Sequence, residues 1–143
     1  MLRRNAPLVI FAALCLASAA GCANPIASAR LVCAGADRTL AAARLGLADY
    51  TESYQEALAR EAEADPSKVA EIKAKRDDFR EKRAKVRLAI ASAHLAVGAA
   101  ESVIGLVETG LKDLSSLGAA IGPMIKAVEE VVRLAKELTG GKP

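Results

Sequence analysis

The single histidine of the chain, His94, shares one side of a predicted helix with two carboxylates, Glu101 and Glu108, at seven-residue spacing. These residue types could bind a metal ion or relay a proton. Helical residues that ligate one ion, however, lie three or four positions apart, as in a Glu-x-x-His pair. Seven residues of helix separate two side chains by roughly 10 Å, which is too far for one ion. The column is therefore predicted to be a polar stripe, with no metal and no other cofactor.

Nucleophilic catalysis would also depend on His94. A Ser or Cys nucleophile requires an adjacent base, and His94 supplies the one imidazole in the sequence. The sequence contains no phosphate-binding glycine loop, Cys-x-x-Cys pair or haem-attachment motif. We therefore expect a protein without catalytic activity.

A dense run of Lys and Arg occupies residues 73–87 and could bind nucleic acid or lipid headgroups. Acidic residues interrupt the run, an acidic block precedes it, and aromatic residues that could stack on bases are scarce. The formal net charge of +3 falls to +1 without residues 1–21, because Arg3 and Arg4 are two of the 20 basic residues against 17 acidic ones. We expect no nucleic-acid partner.

The next segment, residues 88–111, contains no Lys or Arg and is rich in small apolar residues. It could enter a membrane, as helices of pore-forming proteins do. The segment also contains His94, Glu101 and Glu108, and charged groups are costly in lipid. Packing against other helices is the favoured interpretation.

The beginning of the sequence has the three parts of a secretory signal. A basic start with Arg3 and Arg4 is followed by an apolar stretch at residues 6–17 and by small residues at 18–21. The apolar stretch is shorter than the ~20 residues that span a bilayer as a helix. Residues 1–21 are thus predicted to be a signal peptide, and the protein to be exported.

The segment Ala19-Ala20-Gly21-Cys22 resembles the lipobox of bacterial lipoproteins. The resemblance implies cleavage before Cys22, attachment of diacylglycerol to its thiol and acylation of its new amine. Ala19 departs from the pattern, which usually has Leu or another larger aliphatic residue there. Residue 23 is Ala and not Asp, so the resemblance implies a periplasm-facing protein of the outer membrane if the host is Gram-negative.

Ordinary cleavage after Ala19 or Ala20 is the alternative, because these small residues also suit signal peptidase. Cys22 and Cys33 would then both remain and could form a disulfide in an oxidising compartment. The sequence leaves lipidation and disulfide formation open.

Proline, glycine and capping residues divide the remaining chain. Residues 22–36, which include Pro25 and Gly35, are predicted to be a flexible tether, and residues 37–143 a single helical domain. The predicted helices cover residues 38–64, 66–114 and 123–138. Their starts are assigned to Asp37, Asp65-Pro66 and Pro123.

The second predicted helix carries an uninterrupted heptad stripe, in which twelve of fourteen positions are apolar. One set of positions is Val69, Arg76, Arg83, Ile90, Val97, Ile104 and Leu111, and the other is Ile72, Phe79, Val86, Ala93, Ala100, Val107 and Leu114. Such a stripe is typical of a long helix packed against partners along one side.

Opposite charge blocks predict how the first two helices meet. Residues 49–65 have a net charge of −5, and residues 68–87 have a net charge of +5. Folding the chain at residues 65–66 brings the blocks together as an antiparallel hairpin, whose register the charges help to set. The expected pairs are Glu56 with Lys75 and Arg76, Glu52 with Arg80, and Asp49 with Lys82 and Arg83.

The predicted fold class is all-α, an elongated, coiled-coil-like antiparallel hairpin with a shorter third helix folding back over residues 94–114. A line of small residues at Ala91, Gly98 and Gly105 stays uncovered in this arrangement. We expect self-association or a protein partner along helical faces of this kind.

These observations predict a small exported envelope protein that is attached to a membrane by a lipid on Cys22. It would act as a helical structural or interaction module. The alternative is a membrane-active protein, of a lysis, toxin or pore type, that inserts residues 88–138.

Overall fold

The computed structural model describes residues 24–140, and these residues form an all-α bundle without strands. Helix α1 spans Pro25–Ala64, a 3-10 turn spans Pro66–Lys68, α2 spans Val69–Glu108 and α3 spans Ser115–Leu138. Helices α1 and α2 form an antiparallel hairpin, and α3 folds back against both. The predicted fold class is confirmed. The predicted signal peptide and Cys22 lie outside the described residues.

The predicted tether is wrong from Pro25 onward, because α1 begins there. The Asn24 side chain accepts hydrogen bonds from the backbone N–H groups of Ile26 and Ala27, each at 3.1 Å. Pro25 occupies the first helical position, where its missing N–H costs nothing. The added turns are held by packing, since one face of the helix is buried at three- and four-residue spacing. The buried residues of this stretch are Ala29, Cys33, Ala36 and Leu40.

This earlier start makes α1 as long as α2, at 40 residues each. Both helices are therefore about 60 Å long, and α1 lies along the whole of α2. Ion pairs mark the two ends of the hairpin. Arg30 binds Glu108 at one end, and Lys75 binds Glu61 near the other.

Helix α2 ends at Glu108, six residues before the predicted end at 114. Gly110 has φ +72, a left-handed conformation that glycine adopts without a side-chain clash. The N–H of Leu111 donates to the carbonyl of Leu106 at 2.9 Å, and the N–H of Gly110 donates to that of Val107 at 3.1 Å. These two bonds form a Schellman motif, which ends the helix.

Helix α3 begins at Ser115, eight residues before the predicted start at Pro123. Pro123 lies inside the helix, where it cannot donate a hydrogen bond to the carbonyl of Ala119. Both residues are exposed, so water can satisfy that carbonyl. A proline on the solvent side is thus accommodated, and the turn between α2 and α3 moves to residues 109–114.

The core is contributed by all three helices and is rich in small side chains. Every one of the eight buried residues of α2 belongs to the predicted heptad stripe. Leu40 of α1, Ile104 of α2 and Met124 of α3 are among the largest fully buried side chains. The buried core residues of α3 are Leu117, Met124, Val128, Val131 and Leu138.

Toward the hairpin turn, where α1 and α2 pack as a pair, an aromatic cluster replaces the small residues. The rings of Tyr54 and Phe79 stack with centroids 4.3 Å apart, and Tyr50 lies 5.9 Å from Phe79. Leu58, which follows Tyr54 by one helical turn on α1, is also buried. These few large side chains supply the apolar contact of the two-helix part.

Glycine substitutions test whether residues 25–36 are helical in solution. A Cβ at Gly35 would meet nothing within 4 Å, so Gly35→Ala is expected to raise the free energy of unfolding by roughly 0.5–1 kcal/mol. Gly110→Ala is the matched control and is expected to lower it by about 1 kcal/mol, because φ is positive there. Urea unfolding followed by circular dichroism measures both, and an unchanged Gly35→Ala variant would contradict a helix at this position.

Candidate functional site

His94 lies on the flank of the hairpin where α2 meets α1. Its Nδ1 atom is 3.8 Å from Oδ1 of Asp37, and both side chains are partly exposed. The pair is ionic only when the imidazole is protonated. The other ring nitrogen, Nε2, is buried and has no hydrogen-bond partner among the described residues.

The two carboxylates of the predicted column have separate surroundings. Glu101 is exposed on α2, whereas Glu108 is bound by Arg30 of α1. In residues 24–140, no group of three His, Cys, Asp or Glu side chains is arranged to hold a metal ion. The column therefore forms no common site, because His94 and Glu108 lie against different residues of α1 and Glu101 is at the surface.

Arg30 and Glu108 form a bidentate ion pair that joins the start of α1 to the end of α2. Arg30 Nε donates to Glu108 Oε1 at 2.8 Å, and Nη2 donates to Oε2 at 2.6 Å. Two parallel hydrogen bonds of this kind restrain the relative orientation of the two side chains and also strengthen the ion pair. The hydrogen bonds from Arg30 lower the pKa of Glu108 below its ordinary value.

The predicted charge blocks do face each other, but the contact between helices is made by a different pair. Lys75 donates to Glu61 at 2.8 Å, and it also binds Glu71 of its own helix at 2.9 Å. The hydrogen bond with Glu61 is the main reason why the pKa of Lys75 is raised. Helix α1 ends at Ala64 and α2 begins at Val69, so the chain turns at a later position in the sequence than the predicted residues 65–66. Lys75 therefore lies opposite Glu61 and not opposite Glu56.

Several other charged side chains of the two blocks form ion pairs with residues one turn away on their own helix. Glu56 pairs with Arg60 at 3.1 Å, and Lys82, which was expected opposite Asp49, pairs with Asp78 at 2.7 Å. For residues 24–140, the ion pairs within 4.0 Å include none made by Glu52, Arg76, Arg80 or Arg83.

Glu52 and Arg83 instead line a shared open groove between α1 and α2, with a volume of about 660 Å³. Arg44, Arg87 and His94 line the same groove. Sequence reasoning did not single out Arg44 or Arg87 as site residues. Their signal was available in the antiparallel register, which brings residue 44 level with residues near 90. The groove has a basic character but contains a carboxylate of its own.

The outward side of α2 forms an uncharged surface. Leu88 and Leu95 are 74% and 77% exposed, and Leu106 lies on the same side, where it is 36% exposed. Gly98 and Gly105 are beside them, and a Cβ on either glycine would meet nothing within 4 Å. Residues 24–140 thus leave the predicted small-residue line uncovered, and the exposed leucines beside it make this side of α2 an apolar face.

A second apolar surface lies at the end of the bundle that holds the start of α1, which we call the base. It comprises the first turns of α1, the last turn of α2 and the turn 109–114. Its exposed large apolar side chains are Leu31, Leu106, Leu111 and Leu114. The Arg30–Glu108 pair lies at the same level, so the base joins polar and apolar groups.

These helices define an all-α protein with a polar flank, an uncharged helical face and an apolar base. No protein-family model, curated protein or solved structure matches the chain.

The Arg30–Glu108 pair makes a prediction about acid stability. Since the folded pKa of Glu108 is depressed from 4.5, its stabilisation is present above that value and is lost as the pH falls through the folded pKa. Glu108→Gln is expected to be less stable than the wild type at pH 7 and to lose less stability between pH 5 and pH 2. Urea unfolding at several pH values measures this, with Glu101→Gln as the control. An acid dependence that is equal in all three proteins would contradict the prediction.

Proposed function

We propose that this protein is a small exported envelope protein, attached to a membrane through acylation of Cys22, in which the bundle acts as a helical interaction module without catalytic activity. The observation that carries the proposal is the position of Cys22. It ends the lipobox-like segment at residues 19–22 and precedes the first residue of α1, Pro25, by three residues. A lipid there would hold the bundle close to the membrane surface.

The state of Cys33 supports lipidation over the alternative disulfide. Its thiol is free, 2% exposed and packed in the core, with Sγ 3.8 Å from Sδ of Met124. Burial raises the pKa of the Cys33 thiol, which disfavours the reactive thiolate. A buried thiol of this kind is poorly placed to react, so we infer that Cys22 is the cysteine that is modified.

The uncharged face of α2 supports the interaction role. Leu88, Leu95 and Leu106 form a line of exposed apolar side chains that no other part of residues 24–140 covers. Such contiguous apolar surface is typical of contact sites for another protein or a membrane. The small residues at positions 91, 98 and 105 would let a partner helix approach closely.

The proposal predicts that acylation depends on Cys22. Cells that express the wild type are expected to incorporate labelled fatty acid into the protein, and Cys22→Ala is expected to abolish the label and release the protein from membranes. Cys33→Ala is the control, and its label should be retained because that thiol is buried. A labelled Cys22→Ala protein, or an unlabelled wild type, would contradict the proposal.

A membrane-active role is a second candidate, because one property of α2 favours it. The stretch Pro66–Glu108 contains an 18-residue window with a mean hydropathy of 1.6, of which 33% is buried in the bundle. Insertion of residues 88–138 would require α3 and α2 to abandon their shared core. That core is the main reason to rank this candidate second.

Dye release from vesicles distinguishes the two candidates. With the purified wild-type protein, the interaction module is expected to release no dye and to leave the Cys33 thiol unreactive toward a water-soluble reagent. A membrane-active protein would release dye and expose Cys33 as the core opens. The combination of dye release and a reactive Cys33 would therefore replace the first proposal with the second.

A further inference from the structure

The base of the bundle concentrates exposed apolar side chains. Eight large apolar residues are exposed in the described chain, and four of them, Leu31, Leu106, Leu111 and Leu114, belong to the base, which shares Leu106 with the uncharged face of α2. Leu111 and Leu114 are 74% and 54% exposed and lie in the turn between α2 and α3. Leu31 on α1 and Leu106 on α2 are close to the level of the Arg30–Glu108 pair, so the apolar groups come from all parts of the base.

The height of this apolar surface matches what a membrane interface accepts. Leu31 follows Arg30 by one residue and Leu106 precedes Glu108 by two, so these leucines lie about 1.5 and 3 Å farther from the end of the molecule than the ion pair. The turn 109–114 extends from that level toward the end of the molecule. Apolar groups of peripheral proteins enter about 5–10 Å into the boundary between headgroups and acyl chains.

The charges of the base do not oppose contact with lipid headgroups. The carboxylate of Glu108 is bound by Arg30, and the turn carries one positive and one negative residue, Lys112 and Asp113. The charged groups of the base thus balance. Lys112 and Asp113 stand between Leu111 and Leu114 in the turn, and charged side chains there can remain in water or among headgroups while these two leucines enter.

The chain that precedes α1 decides which occupant this surface has. Cys22 is three residues from Pro25, and three residues of extended chain reach at most about 10 Å. An acyl group on Cys22 therefore holds the base within about that distance of the bilayer. The same short connection makes the base the end of the molecule that is nearest to the lipid.

We propose that the base docks on the membrane interface, with Leu111 and Leu114 inserted among the lipids and the hairpin turn directed away from them. This inference rests on the proposed anchor at Cys22 and deepens it, since it assigns a second membrane contact to the turn 109–114. The bundle would then contact the membrane at two points, the acyl group on Cys22 and the turn 109–114.

A single tryptophan can test the contact, because the chain contains no Trp. The full-length protein is expressed with its predicted signal peptide, residues 1–21, and purified from membranes. It is then reconstituted in phosphatidylcholine–phosphatidylglycerol vesicles with or without brominated acyl chains. In Leu111→Trp, the brominated lipids are expected to reduce the emission at least twofold and the emission maximum is expected to shift to shorter wavelength. Leu95→Trp is the matched control, since Leu95 is 77% exposed on α2 but lies about 20 Å from the end of that helix.

Each result decides the inference. Quenching at position 111 without quenching at position 95 supports it, whereas equal quenching at both positions, or none at either, overturns it. If Leu111→Trp fails to give the helical circular dichroism of the wild type, Leu114→Trp carries the same readout. Fatty-acid labelling of the same preparations tests the anchor separately. A labelled protein without quenching at position 111 would overturn the docking alone, and an unlabelled protein with quenching would overturn the anchor alone.

Discussion

The apolar stripe of α2 must be covered along about 60 Å, and the arrangement of the other helices follows from this requirement. Helix α1 runs beside the stripe over the length of α2 because the two helices have equal lengths, and Val69 at the hairpin turn stays exposed. Helix α3 covers a second side of the same helix over the part nearest the base. Small buried residues such as Ala93 and Ala100 allow the helices to approach closely. The short connection makes the two helices antiparallel, and the ion pairs at the two ends, Arg30–Glu108 and Lys75–Glu61, agree with the register in which these faces pack.

Much of the fold could be predicted because heptad spacing reports directly on burial. The stripe read from the sequence contains all eight buried residues of α2. The errors in the predicted helices all concern their ends, because a proline or a glycine is compatible with more than one position relative to a helix. Pro25 is predicted to lie in a tether, but it starts α1. Pro123 is predicted to start a helix, but it lies on the exposed side of α3. Gly110 ends α2 through its positive φ, a conformation that composition alone does not specify.

The candidate site was predictable at the level of charge blocks and less so at the level of single atoms. Opposite blocks gave the hairpin, yet a lysine such as Lys82 has acceptable partners on its own helix and on the neighbouring one. The choice depends on axial offsets of a few ångströms, which the length of the turn Pro66–Lys68 determines. The contact of His94 with Asp37 was missed for a related reason, because Asp37 was assigned to a helix start and not to the middle of α1.

The unequal thickness of the bundle has a mechanical consequence. Around the hairpin turn, two helices are held by Leu58 and the aromatic cluster, whereas near Met124 three helices enclose the core. Local opening requires less free energy where fewer apolar contacts are buried. A pull applied at the hairpin turn would therefore separate α1 from α2 there before it disturbs the packing around Met124. Resistance to force is graded along the molecule, with a compliant end and a firm one.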